Sequence, residues 1–289
     1  MGRFVARALD SIGDQTHLDW ETILIDDDGP EDGTCKAVAD FARRYPTHRV
    51  KYIRNAQNVG CGQSRNIGIE SAQGEFLAFL DPDDIWGPRY LERALCGIQN
   101  ADLCFCQCRS IDEEGGDLGP HTGGRTSGLV ADFPRSLFRE NFLVPSCTFV
   151  RRSVIEQIGL FHSDRSVMYA ADWDFYLRCV AGGASFAFLE SEDCYYRRHA
   201  GAATSNYLAI TAECTKILRE NWQNAGGQMK IDLGTTLHIH LCRLAYLRIS
   251  FRDWRGLRNG LGALWLEPLN ARPVLEVIKG LKNNWTSLQ

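Results

Sequence analysis

The spacing of apolar residues in the first third of the chain predicts helices and strands in alternation. Near the N-terminus the apolar positions recur at helical spacing, so residues 3 to 15 are predicted to form an amphipathic helix. Three short apolar runs then have the length of buried strands, at residues 22–25, 50–53 and 76–80. Helices are predicted between them, at residues 34–45 and after the loop 58–68. This order is typical of a parallel sheet covered by helices.

Beyond residue 205 the pattern becomes helical throughout. Helices are predicted at residues 206–222, 234–250, 253–266 and 273–281, with a break at Gly226-Gly227. The chain is therefore predicted to divide into an α/β domain at residues 1–205 and a helical region at residues 206–289. Arginines lie beside apolar residues in that region, at Arg243, Arg248, Arg252, Arg255 and Arg258. A helical bundle packed on the first domain is expected, with peripheral membrane contact as the alternative.

Composition and charge exclude several classes of protein. The 289 residues carry a formal net charge of −4, which argues against a nucleic-acid binder that works by neutralising phosphates. The eleven cysteines include no Cys-x-x-Cys pair, so a zinc site is disfavoured and free thiols in a reducing cytoplasm are expected. Cys104, Cys106 and Cys108 alternate, which places them on one face of a strand. No apolar run approaches the length of about 20 residues needed to span a membrane.

An apolar run ends in three carboxylates within four residues, at Asp81-Pro82-Asp83-Asp84. Crowded carboxylates repel one another unless a cation or hydrogen-bond donors neutralise them, so a divalent metal site is one interpretation. The other interpretation is an Asx-Pro turn followed by an Asp that caps a helix. The segment alone leaves both open.

A second acidic group, Asp26-Asp27-Asp28, follows another predicted parallel strand. Ligands bind in the crevice at the carboxyl ends of the strands in open α/β sheets, so two acidic strand ends favour one shared site. The loop from Asn58 to Asn66 opens at the same edge, where backbone N–H groups and Arg65 can meet phosphate. A capped helix start is the alternative for that loop.

The order and spacing of these segments resemble the nucleotide-sugar domain of family 2 glycosyltransferases with the GT-A fold. The resemblance spans about residues 3 to 205. It rests on Leu18-Asp19-Trp20-Glu21, Ile25-Asp26-Asp27, Asn58-x-Gly60, Arg65-Asn66-x-Gly68, Leu80-Asp81-Pro82-Asp83-Asp84, Gly159-Leu160-Phe161, Ala171-Asp172-Trp173-Asp174 and Tyr196-Arg197-Arg198-His199. It implies a GT-A-like, mostly parallel sheet flanked by helices, a Rossmann-like nucleotide-sugar domain, followed by the C-terminal helical region.

The resemblance assigns the donor site to the two acidic strand ends. Asp26 and Asp27 match the acidic pair that contacts the base and ribose, without deciding which residue does so. Asp81 and Asp83 match the Asp-x-Asp motif, in which the first tends toward the ribose and a metal-bound water and the second ligates Mn²⁺ or Mg²⁺. Oxygen ligands suit those ions. Asp84 is expected to support the motif or cap a helix.

Three downstream residues complete the implied site. His199 matches a histidine that completes the metal site, with Arg197 nearby to meet phosphate. Asp172 matches the general base that deprotonates the acceptor hydroxyl, with inversion at the anomeric carbon as the outcome. Its alternative is a helix N-cap, because a helical run follows it. Asp174 is expected to be a first-turn helix charge.

The sequence departs from the family's pattern at its start and after the first acidic pair. The family begins with a central strand, whereas this chain begins in the helix after it. The absence is expected to expose two sheet edges, and it indicates either a start codon placed too late or a decayed remnant. Asp28-Gly29 stands where the family usually has Gly-Ser. Residues 109–130 hold six glycines and are expected to be either a lid or acceptor-facing hairpin or a plain mobile insertion.

The first functional hypothesis is an inverting, metal-dependent glycosyltransferase in bacterial surface polysaccharide or glycolipid synthesis. It would take a nucleoside-diphosphate sugar, a UDP-sugar in the first instance, and a saccharide or lipid-linked acceptor. It would work in the cytoplasm or peripherally at the inner face of the membrane. The second hypothesis is a catalytically impaired or truncated protein of the same fold that acts as a scaffold or remnant. A phospho-acceptor signalling domain is the third, but it leaves Asp172 and His199 unexplained.

Overall fold

The first third of the chain folds into a parallel strand pair with helices packed on it. Its elements are α1 at Gly2–Gly13, β1 at Thr22–Asp26, α2 at Thr34–Arg44, β2 at Val50–Arg54 and α3 at Cys61–Ser71. Strands β1 and β2 are parallel, with Thr22 opposite Val50 and Asp26 opposite Arg54. All five elements predicted from the apolar pattern are present. The computed structural model describes residues 2–201 and 206–250, together with Arg255, Asn259, Leu261 and Ala263.

A second, six-stranded sheet forms the centre of the fold. Its elements and their helices are β3 at Phe76–Ala78, β4 at Ile85–Trp86, α4 at Tyr90–Gly97, β5 at Leu103–Ile111, β6 at Asp117–Pro120, α5 at Thr126–Ala131, α6 at Arg135–Arg139, a 3₁₀ turn at Pro145–Cys147, β7 at Thr148–Arg151, α7 at Arg152–Ile158, a second 3₁₀ turn at Arg165–Val167, α8 at Ala171–Ala181 and β8 at Phe186–Arg197. The strand order is β3-β7-β5-β8-β4, with β6 paired to β5.

This sheet is mixed, which differs from the mostly parallel sheet expected from the sequence. Only β5 and β8 run parallel within it, and the remaining pairs are antiparallel. The apolar pattern locates strands but does not give their direction, because direction depends on the path of the connections. The α/β class is confirmed, with helices on both faces of the sheet.

The two sheets are separate within the described residues. Strand β1 pairs with β2 alone and β3 pairs with β7 alone, so each has one edge without a strand partner among the described residues. That these two edges are exposed stays a prediction. Helix α3 still places its N-terminus beside the carboxyl end of β1, since the loop before α3 bonds to Asp27.

The C-terminal helices pack on the same core as the sheet. Helix α9 at Tyr207–Asn224 and helix α10 at Gly227–Ser250 bury Leu218 and Leu237 in one cluster with Trp173 of α8. The break at Gly226-Gly227 is confirmed, since Gly227 begins α10 at a φ of 52°. The helix predicted at 273–281 lies outside the described residues, as does most of the one at 253–266. None of the helices in the described part of the chain is long and apolar enough to cross a membrane.

The glycine-rich segment 109–130 contains the turn of the β5–β6 hairpin and continues into α5. Strand β6 folds back on the end of β5, and Gly119 lies opposite Ser110. Gly115 and Gly119 have φ values of 102° and 89°, a region that other residues rarely adopt, so glycine is required by the turn and its bulge. A lid or acceptor-facing role for this hairpin stays a prediction.

Candidate active site

The acidic segment after β3 is a tight turn that leads into another strand. The N–H of Asp84 donates to the carbonyl of Asp81 at 3.0 Å, and β4 begins directly afterwards. The turn expected from the Asp-Pro pair is therefore present, but the expected helix cap is not, because no helix follows. The three carboxylates of this turn point to three different sets of partners.

Asp84 is the buried member and anchors the turn. It is 1% exposed, accepts a hydrogen bond from the Ser146 hydroxyl at 2.6 Å and another from the backbone N–H of Arg197 at 3.0 Å. The hydroxyl of Ser146 in turn accepts from the N–H of Asp81 at 3.1 Å. Burial, followed by the neighbouring charges of Asp81 and Asp83, raises the pKa of Asp84 well above its ordinary value. Asp84 therefore supports the turn rather than facing a ligand.

Asp83 and His199 face each other within the site. The Nε2 of His199 lies 2.9 Å from one carboxylate oxygen of Asp83, and both side chains are largely buried, at 3% and 15% exposure. The ring of Phe4 in α1 lies 5.0 Å from the His199 ring and fixes its position from the other side. The sequence prediction that the motif and this histidine meet is consistent with this geometry.

Arg197 lies beneath the same turn and is 1% exposed. Its guanidinium donates to the carbonyl oxygens of Asp83 at 2.8 Å, Asp112 at 2.9 Å and Glu113 at 2.8 Å. Those contacts hold the backbone of the motif against the tip of the β5–β6 hairpin. The predicted phosphate contact of Arg197 stays untested, and the geometry gives this residue a positioning role instead.

Helix α3 contacts both the acidic turn and the helix of the predicted base. The Nη2 of its Arg65 donates to the Asp81 carboxylate at 2.8 Å, and the Arg65 side chain is 15% exposed. Burial lowers the pKa of this guanidinium, but the charges of Asp81 and Asp172 raise it, and the net direction is upward. Helix α3 therefore carries a cation paired with Asp81, and Gly62 in its first turn approaches the Ala171 side chain, next to Asp172.

Asp172 lies in the first turn of α8, whose N-cap residue is Ala170. The N-cap interpretation of Asp172 is therefore wrong, because the helix already begins at Ala171. One of its oxygens accepts from the Trp173 N–H at 2.8 Å, and the other accepts from the Asn141 amide at 3.2 Å. Burial raises its pKa above the ordinary value, while Arg65 and Asn141 oppose the shift. A carboxylate made more basic in this way suits proton abstraction.

Asp174 has a structural environment different from that of a solvated helix charge. It lies in the first turn of α8 as expected, but it is only 4% exposed. Its carboxylate accepts from Arg178 at 2.8 Å and from Asn221 of α9 at 2.9 Å. Asp174 therefore joins α8 to α9 and lies on the side of the helix away from the candidate site.

The first acidic group organises the loop in front of α3. Asp27 accepts from the N–H groups of Val59 at 2.8 Å and Gly60 at 2.7 Å. Asp26 accepts from the Tyr52 hydroxyl at 2.6 Å and from the Gly29 N–H at 2.9 Å. These contacts fix the strand end, and the predicted contacts with a base and ribose stay predictions.

Asp28 has a φ of 58°, the left-handed conformation that glycine adopts without strain. This is where the sequence departs from the glycine usual in the family. Asp is among the side chains that tolerate this conformation best, because it can hydrogen-bond locally. The substitution is therefore compatible with the turn but leaves an additional carboxylate at the strand end.

The donor atoms of the site fit a divalent cation in part. Asp83 offers a carboxylate oxygen, which suits Mn²⁺ or Mg²⁺, and His199 offers an imidazole nitrogen, which suits a transition metal such as Mn²⁺ better than Mg²⁺. Asp81 is instead paired with Arg65. Within residues 2–201 and 206–250, Asp81, Asp83 and His199 do not form a trio with all ligand atoms inside 4.8 Å. Asp81 as a metal ligand stays a prediction.

Two residues of the site had no signal in the sequence. Asn141 precedes the 3₁₀ turn in an irregular segment, and Ser146 lies inside that turn. A single Asn or Ser between apolar residues is indistinguishable from an ordinary loop or core residue. Only the packing of the 3₁₀ turn against Asp84 and of residue 141 against α8 identifies them.

Comparisons with known proteins give a consistent result. A model of the family "Glycosyl transferase family 2" matches residues 2–159. The UDP-Glc:alpha-D-GlcNAc-diphosphoundecaprenol beta-1,3-glucosyltransferase WfgD of Escherichia coli is 32% identical over 35% of this chain and 38% of its own length. Among solved structures, S. aureus TarS with UDP-GlcNAc has a TM-score of 0.65 at 16% identity, covering 99% of this chain and 88% of its own. The mannosyltransferase PcManGT of Pyrobaculum calidifontis, with GDP-Man and Mn²⁺, has a TM-score of 0.62 at 15% identity, covering 99% and 84%.

Proposed function

The chain belongs to glycosyl transferase family 2 and is a glycosyltransferase of the GT-A fold, and from this premise we propose an inverting, metal-dependent reaction at the site described above. The observation that carries the proposal is the approach of two helices: α3, whose Arg65 pairs with Asp81 at 2.8 Å, has Gly62 against the Ala171 side chain at the start of α8, which holds Asp172. The proposed donor-binding segment and the Asp172 carboxylate are thereby held by neighbouring helices. Family membership also argues against the signalling-domain alternative.

Asp172 is the general base of the proposed reaction. Its carboxylate takes the proton from the acceptor hydroxyl as that oxygen attacks the anomeric carbon, and the bond from this carbon to the diphosphate breaks on the opposite face. The configuration of the sugar is therefore inverted. Burial of Asp172 supports this role, since it raises the pKa of the carboxyl toward the working pH.

Asp83 and His199 would hold Mn²⁺ or Mg²⁺. When bound, the ion supplies positive charge that stabilises the leaving nucleoside diphosphate. Arg65 holds Asp81 and adds a fixed positive charge beside it. Ser146 and Arg197 keep the turn in place, through Asp84 and the carbonyl of Asp83 respectively.

The donor and acceptor are proposed from the names of similar proteins. UDP-GlcNAc and GDP-Man are bound by the two structural neighbours, and a diphosphoundecaprenol-linked sugar occurs in the name of WfgD. These support a nucleoside-diphosphate sugar donor, a UDP-sugar in the first instance, and a saccharide or lipid-linked acceptor. Synthesis of a bacterial surface polysaccharide or glycolipid follows as the proposed setting. The cytoplasm, with peripheral contact at the inner face of the membrane, follows as the proposed location.

Two isosteric variants test the separation of roles. Asp83→Asn is expected to remove Mn²⁺-dependent binding of the donor, measured by calorimetry with a panel of sugar nucleotides. Asp172→Asn is expected to keep donor binding and to lose at least a hundredfold in kcat, since general-base catalysis contributes about 10²–10⁴ in rate. The matched control is Asp40→Asn, because Asp40 is a half-exposed residue of α2 that pairs with Arg43 of the same helix.

The outcomes distinguish the two hypotheses. Equal loss of donor binding in both site variants would contradict the assignment of Asp172 as base. An unaltered chain that binds no sugar nucleotide in the presence of Mn²⁺ would favour the impaired or scaffold protein. That alternative rests on the edges of β1 and β3 that lack a strand partner among the described residues and on the engagement of Asp26 and Asp27 by protein donors.

A further inference from the structure

Three cysteines from separate parts of the chain converge beneath the acidic turn. Cys108 comes from β5, Cys194 from β8 and Cys147 from the 3₁₀ turn before β7, and each is at most 7% exposed. Their sulfur atoms all lie within 4.8 Å of one another, and those of Cys108 and Cys194 are 4.0 Å apart. Zinc–sulfur bonds of about 2.3 Å place the sulfurs of a tetrahedral site about 3.8 Å apart. The cluster is therefore close to ligand geometry.

A buried hydroxyl beside this cluster has no partner. Tyr90 is 1% exposed, and among the described residues its hydroxyl makes no hydrogen bond. Tyr90 lies in the same buried cluster as Cys106, Cys147 and Cys194. A buried hydroxyl without a partner costs about 1–3 kcal/mol. A negatively charged sulfur is a good acceptor for it, whereas a neutral thiol is a weak one.

We propose that Cys108, Cys147 and Cys194 bind a thiophilic metal ion, Zn²⁺, as three thiolates. Each coordinating thiol gives up its proton to solvent, and no electron is transferred. Cys106 lies in the same buried cluster. The three ligands come from β5, β8 and the 3₁₀ turn rather than from one loop, so the site needs no Cys-x-x-Cys pair.

A disulfide explains the same observations less well. A bond between Cys108 and Cys194 requires their sulfurs at about 2.05 Å, roughly half the observed separation. It would also leave the third thiol without a role. A metal uses all three sulfurs at close to their present positions.

The metal would stabilise the segments on which the donor site is built. Cys147 directly follows Ser146, which bonds to Asp84, and Cys194 lies on β8 upstream of Arg197. A metal ion bound by β5, β8 and the 3₁₀ turn would therefore hold together three segments that position the acidic turn. This proposal does not depend on the donor or the acceptor.

The test uses the full chain, purified under reducing conditions, stripped with a chelator and given Zn²⁺ or Co²⁺. We expect about one tightly held Zn²⁺ per chain, and X-ray absorption is expected to give a sulfur shell at about 2.3 Å. Co²⁺ is expected to give an intense sulfur-to-metal charge-transfer band. Cys194→Ala is expected to lower the retained metal at least tenfold.

Two variants act as controls. Cys104→Ala removes a thiol of the same strand and the same buried cluster that is not among the three ligands. Asp83→Asn removes the oxygen-rich site. Both are expected to retain the sulfur-bound metal.

Three results would overturn the proposal. The first is that Cys194→Ala retains as much zinc as the unaltered chain. The second is that X-ray absorption of the unaltered chain shows no sulfur bound to the metal. The third is that unreduced peptides contain a Cys108–Cys194 disulfide. The absorption measurement needs no variant, so a failure of Cys194→Ala to fold does not affect it.

Discussion

Replacement of Ser146 by Ala tests how the acidic turn is held in place. The Ser146 side chain is fully buried, donates to Asp84 at 2.6 Å and accepts from the N–H of Asp81 at 3.1 Å. Ser146→Ala removes both contacts with a minimal change in shape. Ser136→Ala is the matched control, because Ser136 is equally buried but donates to a neutral acceptor, the Leu129 carbonyl, at 2.6 Å.

The expected cost follows from the charge of the acceptor. A hydrogen bond to a charged group contributes about 1.5–3 kcal/mol, and loss of the acceptor for the Asp81 N–H adds about 1 kcal/mol because Asp81 is partly exposed. Ser146→Ala is therefore expected to lower the free energy of unfolding by about 2.5–4 kcal/mol at pH values where Asp84 is ionised in the native state. Ser136→Ala is expected to lower it by about 0.5–1.5 kcal/mol, the value for a neutral bond.

The difference between the two variants is expected to depend on pH. The pKa of Asp84 is raised by burial and by the neighbouring carboxylates, and the Ser146 hydroxyl opposes the shift. Between the unfolded value of 3.8 and the raised folded value, the native state binds more protons than the unfolded state. Asp84 therefore lowers the free energy of unfolding as pH rises through this range. The decrease is larger in Ser146→Ala, because that variant lacks the hydroxyl that opposes the pKa shift. The penalty of that variant is expected to grow with pH above the raised folded pKa of Asp84.

The assay is urea unfolding followed by tryptophan fluorescence at a series of pH values. In an Asp84→Asn background the cost of Ser146→Ala is expected to fall by about 1–1.5 kcal/mol, since the acceptor is then neutral while the loss of the partner of the Asp81 N–H remains. The reasoning would be refuted if the two serine variants lost the same free energy at every pH. It would also be refuted if the Asp84→Asn background left the cost of Ser146→Ala unchanged.

Three further predictions follow from the site. Asn141→Ala removes a hydrogen bond that lowers the pKa of Asp172. The acid-side pKa in the pH profile of kcat/KM is therefore expected to rise by about 0.5–1 unit, and an unchanged value would contradict the contact. Arg65→Gln is expected to raise the donor KM about tenfold and to raise the same acid-side pKa, whereas Arg65→Lys keeps the charge and should leave that pKa unchanged. Identical pH profiles of the two variants would exclude an effect of the Arg65 charge. Asp28→Gly is expected to change unfolding free energy by less than about 1 kcal/mol, because relief of the left-handed conformation offsets the entropy of glycine. It should also strengthen donor binding about two- to fivefold in calorimetry, through loss of a screened repulsion, and an unchanged affinity would oppose that assignment.

The sequence by itself determined the local elements and the motifs. Helical and strand periodicity depend on neighbouring residues, so α1, β1, α2, β2 and α3 could be predicted before any packing was known. The acidic strand ends and Asp172 were also readable, because the family's motifs keep their order and spacing along the chain. The match over residues 2–159 confirms that interpretation of the family.

The tertiary structure alone decided how those motifs are connected. Strand direction, the separation of the two sheets and the pairing of Arg65 with Asp81 depend on sheet order and register. The bond from Ser146 to Asp84 joins residues 62 positions apart, and the three clustered cysteines come from three segments. Periodicity and motif spacing report on contacts along the chain, whereas these contacts form only when distant segments pack together. The residues that position the site could therefore not be predicted from the sequence, whereas its carboxylates could.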